Sequence, residues 1–202
     1  MTTAKFDQQA ERWTERAYAD ARTYLAHRAE LVVSLGPRLE PGDTLLDLAC
    51  GDGAFADFLP TGIAYRGVDA SEAMVEEARR HGRTVDLGDL NDYAPPQPVA
   101  ATSCFRAIYY ARDRRDFFRH AATYTQRKLV FDLNPRQYRL ADVRADLEVT
   151  GWRRLELRPF FSPQTRPLPP AVAALLRGLE RSGPAARLLL RLRFTYLCAA
   201  AR

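Results

Sequence analysis

A small set of residues, at intervals that repeat along the first half of the chain, carries chemistry: Asp47, Gly51 and Gly53, then Asp69, then Asp89. Asp47 lies in a short apolar run, Thr44-Leu45-Leu46-Asp47-Leu48, and the two glycines follow at once in Ala49-Cys50-Gly51-Asp52-Gly53. Glycines at a strand-to-helix turn let the backbone approach a ligand and take torsion angles that side chains forbid. The free N–H groups of the next helix start can receive a carboxylate. Phe55 and Ala56 stand where a G-x-G-x-x-G fingerprint would place its third glycine, which disfavours the pyrophosphate of a dinucleotide. Alone, a Gly-x-Gly turn is as often a tight connection as a binding loop. Asp69 closes a second apolar run, Tyr65–Val68, 22 residues after Asp47. A carboxylate at that point can accept both hydroxyls of a ribose. Asp89, with Leu90, closes a third run, Thr84–Leu87. There a carboxylate can accept from the exocyclic amine of adenine, while backbone N–H meets a ring nitrogen. Capping or turn formation is the other use of Asp69 and Asp89. Jointly, three successive strand ends offer groups to three parts of an adenosine-containing ligand.

The rest of the pattern shows what must position them. Apolar residues at three-to-four spacing predict helix over 5–35, and Gly36-Pro37 and Pro41-Gly42 then break the chain. Strands are predicted at 44–48, 65–68, 84–87, 99–105, 128–133, 152–161 and 193–199. Helices are predicted at 54–59, from the N-cap Ser71 to His81-Gly82, at 113–125, 140–147 and 169–181. Strands alternating with helices imply a mostly parallel sheet covered on both faces, with ligands bound beyond the carboxyl ends of its strands.

Leu-Leu-Asp-Leu-Ala-Cys-Gly-Asp-Gly (45–53), Tyr-Arg-Gly-Val-Asp-Ala-Ser (65–71) and Gly-Asp-Leu (88–90) resemble successive motifs of the class I S-adenosylmethionine-dependent methyltransferases. The resemblance covers roughly residues 30–200. It implies an α/β, Rossmann-like, doubly wound sheet of seven strands in the order 3-2-1-4-5-7-6, with the last strand antiparallel and inserted beside that at 128–133. It also implies an N-terminal helical lid. The whole chain is then one domain, 1–40 forming the cap and 41–202 a core with a helical insert at about 162–190. Carried over by position, Asp47, Ala49, Gly51 and Gly53 would hold the methionine portion of the cofactor, S-adenosylmethionine. Asp69 would bind the ribose, Ala70 and Met74 would pack on the adenine, Asp89 and Leu90 would recognise its edge, and Phe105 would border the sulfonium. For Met74, core packing is an equal alternative.

Methyl transfer is an in-line displacement that needs alignment and exclusion of water more than any fixed residue set. The acceptor side is therefore less constrained. Ser103-Cys104-Phe105-Arg106 stands where nucleic-acid and amide-nitrogen methyltransferases often carry Asn/Asp-Pro-Pro-aromatic, so those substrates are disfavoured. Asn134-Pro135 reads as a strand terminator. Arg106, Tyr109 and Tyr110 fall where the acceptor should lie, and Arg106 can pair with a carboxylate or phosphate or else with Asp113 or Asp116. Of the histidines His27, His81 and His120, His27 on the lid is the best-placed general base. Tyr18 and Tyr24 belong to the same helices, where packing is the simpler reading.

Residues 1–100 carry 10 Lys/Arg against 17 Asp/Glu, net −7, and residues 101–202 carry 20 against 8, net +12. Such asymmetry can mark a polyanion partner. Yet 28 of the 30 basic residues are arginine, as a GC-rich genome also produces, and they are interspersed with apolar residues. The arginine-edged apolar stretch at 160–192 reads as a lid, with docking on an anionic membrane as the alternative. Cys50, Cys104 and Cys198 suggest buried, inert thiols and neither a disulfide nor a metal pattern. With no signal sequence or spanning segment in view, the expected compartment is the cytoplasm. The expected activity is methylation of a small-molecule acceptor, a specialised metabolite or lipid-like compound. An RNA or protein methyltransferase and a cofactor-binding protein without methyl transfer are the rivals.

Overall fold

The computed structural model describes residues 4–189 and 195–202. Its strands are β1 (Thr44–Leu48), β2 (Ala64–Asp69), β3 (Val85–Leu87), β4 (Val99–Cys104), β5 (Thr125–Leu133), β6 (Arg154–Phe160) and β7 (Thr195–Ala201). They form one sheet in the order β3-β2-β1-β4-β5-β7-β6, the order implied by the resemblance. β1 to β5 run parallel, and β7 is antiparallel to both β5 and β6. The interior strands β1 and β4 are buried almost throughout because helices cover both of their faces. β6, at the edge, alternates charged and apolar residues and is half-buried over most of its length.

Along β1 successive side chains take opposite faces. Leu46 and Leu48 pack with Phe117 and Phe118 of α5 (Arg114–Tyr124), Val143 and Leu147 of α6 (Leu140–Glu148), and Trp152. Leu45 packs on the other face with Leu25, Val32 and Leu35, the first two on α3 (Ala21–Ser34) and the last just beyond it. Asp47 therefore shares the face covered by α3. Trp152 is fully buried with its one polar atom satisfied, Nε1 donating to the Phe118 carbonyl at 3.1 Å. α4 (Glu72–Arg80) closes the β2–β3 side through Val75 and Ala78 against Val85. The end of α3 is held by a buried lysine. Lys128 Nζ donates to the carbonyls of Val33 at 3.1 Å and Leu35 at 2.8 Å, and burial lowers its pKa to about 7.

The single helix predicted over 5–35 is three shorter ones: α1 (Ala4–Asp7), α2 (Trp13–Ala17) and α3. Arg12 enters α2 in a left-handed conformation, and Asp20 starts α3 by accepting from the Thr23 N–H at 3.0 Å. Between them the chain is pinned to the later insert. Ala19 N–H donates to the Gln164 carbonyl at 2.8 Å, and Gln164 Nε2 to the Ala17 carbonyl at 2.7 Å. These long-range bonds replace the helical ones that the apolar periodicity alone suggests. The turn at Ala54–Phe58 is 3-10 instead of α-helical. β5 begins at Thr125, before the predicted 128. The last strand is Thr195–Ala201, and Arg193 of the predicted 193–199 lies outside the described residues. The insert contains α7 (Pro170–Glu180), as predicted at 169–181, and α8 (Pro184–Leu189), which was not foreseen. Among the described residues no helix is long and apolar enough to cross a membrane.

Candidate functional site

The sequence-predicted residues converge on one cleft beyond the carboxyl ends of the strands. Asp47, Ala49, Gly51, Asp69, Ala70, Met74, Asp89, Leu90, Phe105, Arg106 and Tyr109 all line it.

The glycine turn forms one wall. Ala49, Gly51 and Gly53 adopt φ of 56°, 62° and 67°, alternating with Cys50 and Asp52. The left-handed conformation costs a residue with a Cβ about 1–2 kcal/mol, so the strain at Ala49 is retained where the loop is shaped for a ligand. At Gly51 glycine is required for a second reason: a Cβ there would stand 2.8 Å from Trp13 Nε1. The Gly51 N–H donates to Asp69 Oδ2 at 2.8 Å, and Ser71 N–H donates to Asp69 Oδ1 at 2.9 Å. Asp69 thus organises the turn while lining the cleft, and burial raises its carboxyl above the ordinary range. Gly53 does not line the cleft. A Cβ there would face Arg83 and Val85 on the β3 side, so this glycine shapes the turn without presenting atoms to a ligand.

Asp47 is almost completely buried. Ser103 Oγ donates to its Oδ1 at 2.6 Å and Tyr65 Oη to its Oδ2 at 3.2 Å. Burial pushes its carboxyl up to about 6, against those two hydroxyls and the Arg28 charge. Asp89 sits in the opposite regime. Burial acts upward, but two bonds from Asn91, backbone N–H at 2.9 Å and Nδ2 at 2.6 Å, outweigh it and lower the pKa. Three carboxylates thus reach one cleft from the ends of β1, β2 and β3, Asp69 and Asp89 held in part by local donors and Asp47 by Ser103 and Tyr65 of neighbouring strands. Met74 is both core and wall, being fully buried and lining the cleft. Of the three thiols expected to be buried, Cys104 and Cys198 are, while Cys50 is half-buried at the cleft with its thiol pushed well up by burial.

Arg106 and Tyr109 lie at the far rim, past β4. Arg106 has φ of 54°, and its N–H donates to Asp132 Oδ1 at 2.7 Å. The alternative pairing with Asp113 or Asp116 is not made: Asp113 caps α5 by accepting from Asp116 N–H at 2.8 Å, and Asp116 pairs with Arg119. Tyr109 is exposed and tilts against Tyr110 at 4.4 Å, and burial lifts its phenol to about 12, so it is un-ionised at neutral pH. His27, the expected general base, is placed elsewhere. It lies outside the cleft wall, with Nδ1 2.9 Å from Ser162 Oγ and Nε2 2.9 Å from Glu180 Oε2, stacked on Phe160. With both nitrogens engaged it fastens α7 to α3.

The structure adds residues that sequence reasoning passed over, Phe55 and Ala107 in the wall and several from the N-terminal helices. Trp13 covers Gly51, and Thr14 Oγ1 donates to Asp52 Oδ1 at 2.8 Å. Asp7 Oδ1 accepts from Ser71 Oγ at 2.6 Å, and Phe6 meets Trp13 and Tyr110 edge-on. Arg28 of α3 enters the wall beside Phe105. The signal for Trp13 was present, since it stood in the apolar periodicity, but that pattern fits helix packing equally well.

Residues 45–128 match a family described as a methyltransferase domain. Over 115 residues the chain is 33% identical to the dTDP-4-amino-2,3,4,6-tetradeoxy-D-glucose N,N-dimethyltransferase of Saccharopolyspora spinosa, covering 52% of this chain and 46% of that protein. The chain thus spans about half the length of the curated relative it matches. Among solved structures, it superposes on a TehB-like SAM-dependent methyltransferase from Corynebacterium glutamicum with TM-score 0.64 and 17% identity, covering 100% of both chains. Magnesium protoporphyrin IX methyltransferase from Synechocystis, with bound SAM, gives 0.61 and 18% over 91% of this chain and 82% of that one. A chain of the complex between the Trm112 methyltransferase activator and a methyltransferase of Haloferax volcanii gives 0.66 and 19% over 97% and 96%. At these identities the structural likeness establishes the fold.

Proposed function

We propose that the chain is a class I S-adenosylmethionine-dependent methyltransferase that methylates a small-molecule acceptor, a reading supported by the methyltransferase-domain match over residues 45–128 and by the strand order. The observation that carries this reading is the meeting of Asp47, Asp69 and Asp89 with the glycine turn in one covered cleft. The residues fit the cofactor group by group. Asp69 would accept the ribose hydroxyls, and Asp89 the adenine amine, with Leu90 and Met74 against the ring. Asp47 and the turn would take the methionine end, where a carboxylate suits an ammonium. Phe105 would border the sulfonium. When bound, S-adenosylmethionine supplies a methyl carbon to which the acceptor's lone pair bonds as the carbon–sulfur pair returns to sulfur and the acceptor proton leaves to water.

The chain's own contribution is enclosure and alignment. Phe6, Trp13 and Tyr18 cover the cleft and exclude water, which strengthens every charge interaction inside. Arg106, Tyr109 and Tyr110 edge the acceptor end as positioning groups. An un-ionised Tyr109 can donate a hydrogen bond there but is not a base. A covered cleft with aromatic walls suits a compact acceptor better than a polymer. The amino-sugar methylation in the name of the Saccharopolyspora relative supports the same class. In this reading residues 1–202 act as one domain, with 1–40 as its cap and about 162–190 as an insert, working in the cytoplasm.

The test is calorimetric titration with S-adenosylmethionine, S-adenosylhomocysteine and NAD. Saturable binding of the first two alone is expected, followed by release of S-adenosylhomocysteine when a small-molecule panel is added. Binding of NAD, or of none of the three by folded protein, overturns the reading.

A further inference from the structure

Arg28 is a buried cation whose hydrogen-bonding capacity the protein leaves largely unused. Its side chain is 5% exposed and forms part of the cleft wall. The guanidinium carbon stands 4.4 Å from the Phe105 ring centre, 4.9 Å from Tyr24 and 6.0 Å from Tyr18. One nitrogen, Nη2, donates to Tyr24 Oη at 3.1 Å. Nε is enclosed without a hydrogen-bond partner, and among the described residues no carboxylate forms an ion pair with Arg28. Among the described residues Lys128 is also a buried cation, and two carbonyls satisfy it; Arg158 Nε is buried without a partner as well, but Arg158 does not line the cleft. A guanidinium removed from water without an anion is strongly disfavoured, and its rigid fork of donors matches a planar carboxylate.

Nearby carboxylates do not fill that role. Asp132 stabilises the cation through space, and the Arg28 charge in turn acts on Asp47. However, Asp47 is engaged by Ser103 and Tyr65, and Asp132 accepts from Arg106 N–H. Asp132 and Phe105 stand at the ends of β5 and β4, so Arg28 hangs over that side of the cleft, with Asp47 on β1 at the boundary between the two sides. Asp69 and Asp89, at the ends of β2 and β3, are on the other side. We propose that Arg28 is the anion receptor for the methyl acceptor, which carries a carboxylate held by the guanidinium and a flat apolar body against Phe105 and Tyr18. This assignment rests on the adenosine lying over β1 to β3, as argued above.

The test uses benzoate and its neutral isostere benzamide, titrated into the full chain alone and saturated with S-adenosylhomocysteine. Benzoate is expected to bind at least tenfold more tightly than benzamide in both forms. Arg28→Met abolishes that preference and Arg28→Lys keeps part of it. Equal affinities for wild-type protein overturn the proposal without any variant having to fold. A second carboxylate source, the cofactor's own amino-acid tail, is separated by 5′-methylthioadenosine, which lacks it. If Arg28→Met weakens S-adenosylhomocysteine tenfold while leaving methylthioadenosine unchanged, and S-adenosylhomocysteine displaces benzoate, the guanidinium serves the cofactor and the acceptor assignment falls. Failure of S-adenosylhomocysteine to bind wild-type protein sinks the proposed function instead, and the benzoate comparison on the unloaded protein still decides the role of Arg28.

Discussion

On the β1–β3 side of the cleft, the acidic groups come from strand ends or the turns just after them, and neighbours close in sequence orient two of them. Asp69 is held by Ser71, with a second bond from Gly51 in the adjoining turn, and Asp89 by Asn91. On the β4–β5 side the groups come from places far apart in the chain. Arg28 arrives from α3, Phe105 and Arg106 follow β4, and Asp132 of β5 holds the Arg106 backbone. The first side is a rigid receptor made of local turns, the second an assembly of long-range contacts. A cofactor common to a family suits the first kind, because local turn chemistry survives changes elsewhere. An acceptor peculiar to one protein suits the second, because a distant helix can be altered without disturbing the turns.

That contrast can be broken experimentally, and the largest expected effect concerns His27. As a scaffold residue it belongs to neither side. His27→Ala leaves the buried Glu180 carboxylate without its Nε2 contact and should cost about 3 kcal/mol in urea unfolding. The pH profile of methyl transfer should stay the same, and loss of one limb of that profile would restore His27 as a base.

Next comes Asp69→Ala, which removes a charged acceptor assigned to the cofactor side. S-adenosylhomocysteine affinity should fall at least tenfold, in line with the roughly 1.5–3 kcal/mol of hydrogen bonds to charged groups. Benzoate affinity should not move, and parallel losses would mean that the two sides are one unit.

A third test is pH. Burial raises the Asp47 carboxyl to about 6, so the native protein holds a proton there that the unfolded chain releases from its ordinary carboxyl near 3.8. The native protein binds more protons between those values, so this group's contribution to stability falls as pH rises from about 4 to 6 and is constant above. A ligand ammonium beside Asp47 reverses the preference. Calorimetry should therefore show S-adenosylmethionine affinity dropping up to about tenfold per pH unit below 6 and level above. A flat profile would remove Asp47 from the cofactor side.

The smallest effect is expected at the exposed rim. Tyr109→Phe should change KM for the acceptor about twofold or less, since an exposed hydroxyl exchanges its bond for one to water. A hundredfold loss in kcat would make Tyr109 a catalytic residue.

The motif-bearing half of the site was legible because its signals are contiguous. Short runs of four or five residues, closed by Asp and Gly, specify strand, turn and register together, and Asp47, Asp69 and Asp89 duly meet in the cleft. Gly53 was assigned with Gly51 from spacing alone, yet a Cβ at one faces Trp13 and at the other Val85, a distinction that one-dimensional spacing does not contain. His27 and Arg28 are adjacent in sequence. Nothing in their neighbours says that one turns toward Glu180 and the other toward Phe105, because adjacent residues on a helix point about 100° apart and the packing of α3 sets which direction is the cleft.

By itself, then, the sequence determined the alternation of strands and helices and the three acidic strand ends, since apolar periodicity and turn chemistry act over a few residues. Tertiary structure alone decided that the N-terminal segment breaks into three helices over the cleft and that Arg28 is buried without an anion. Both depend on which distant surfaces meet, and the free energy of burial is set by the partner found there.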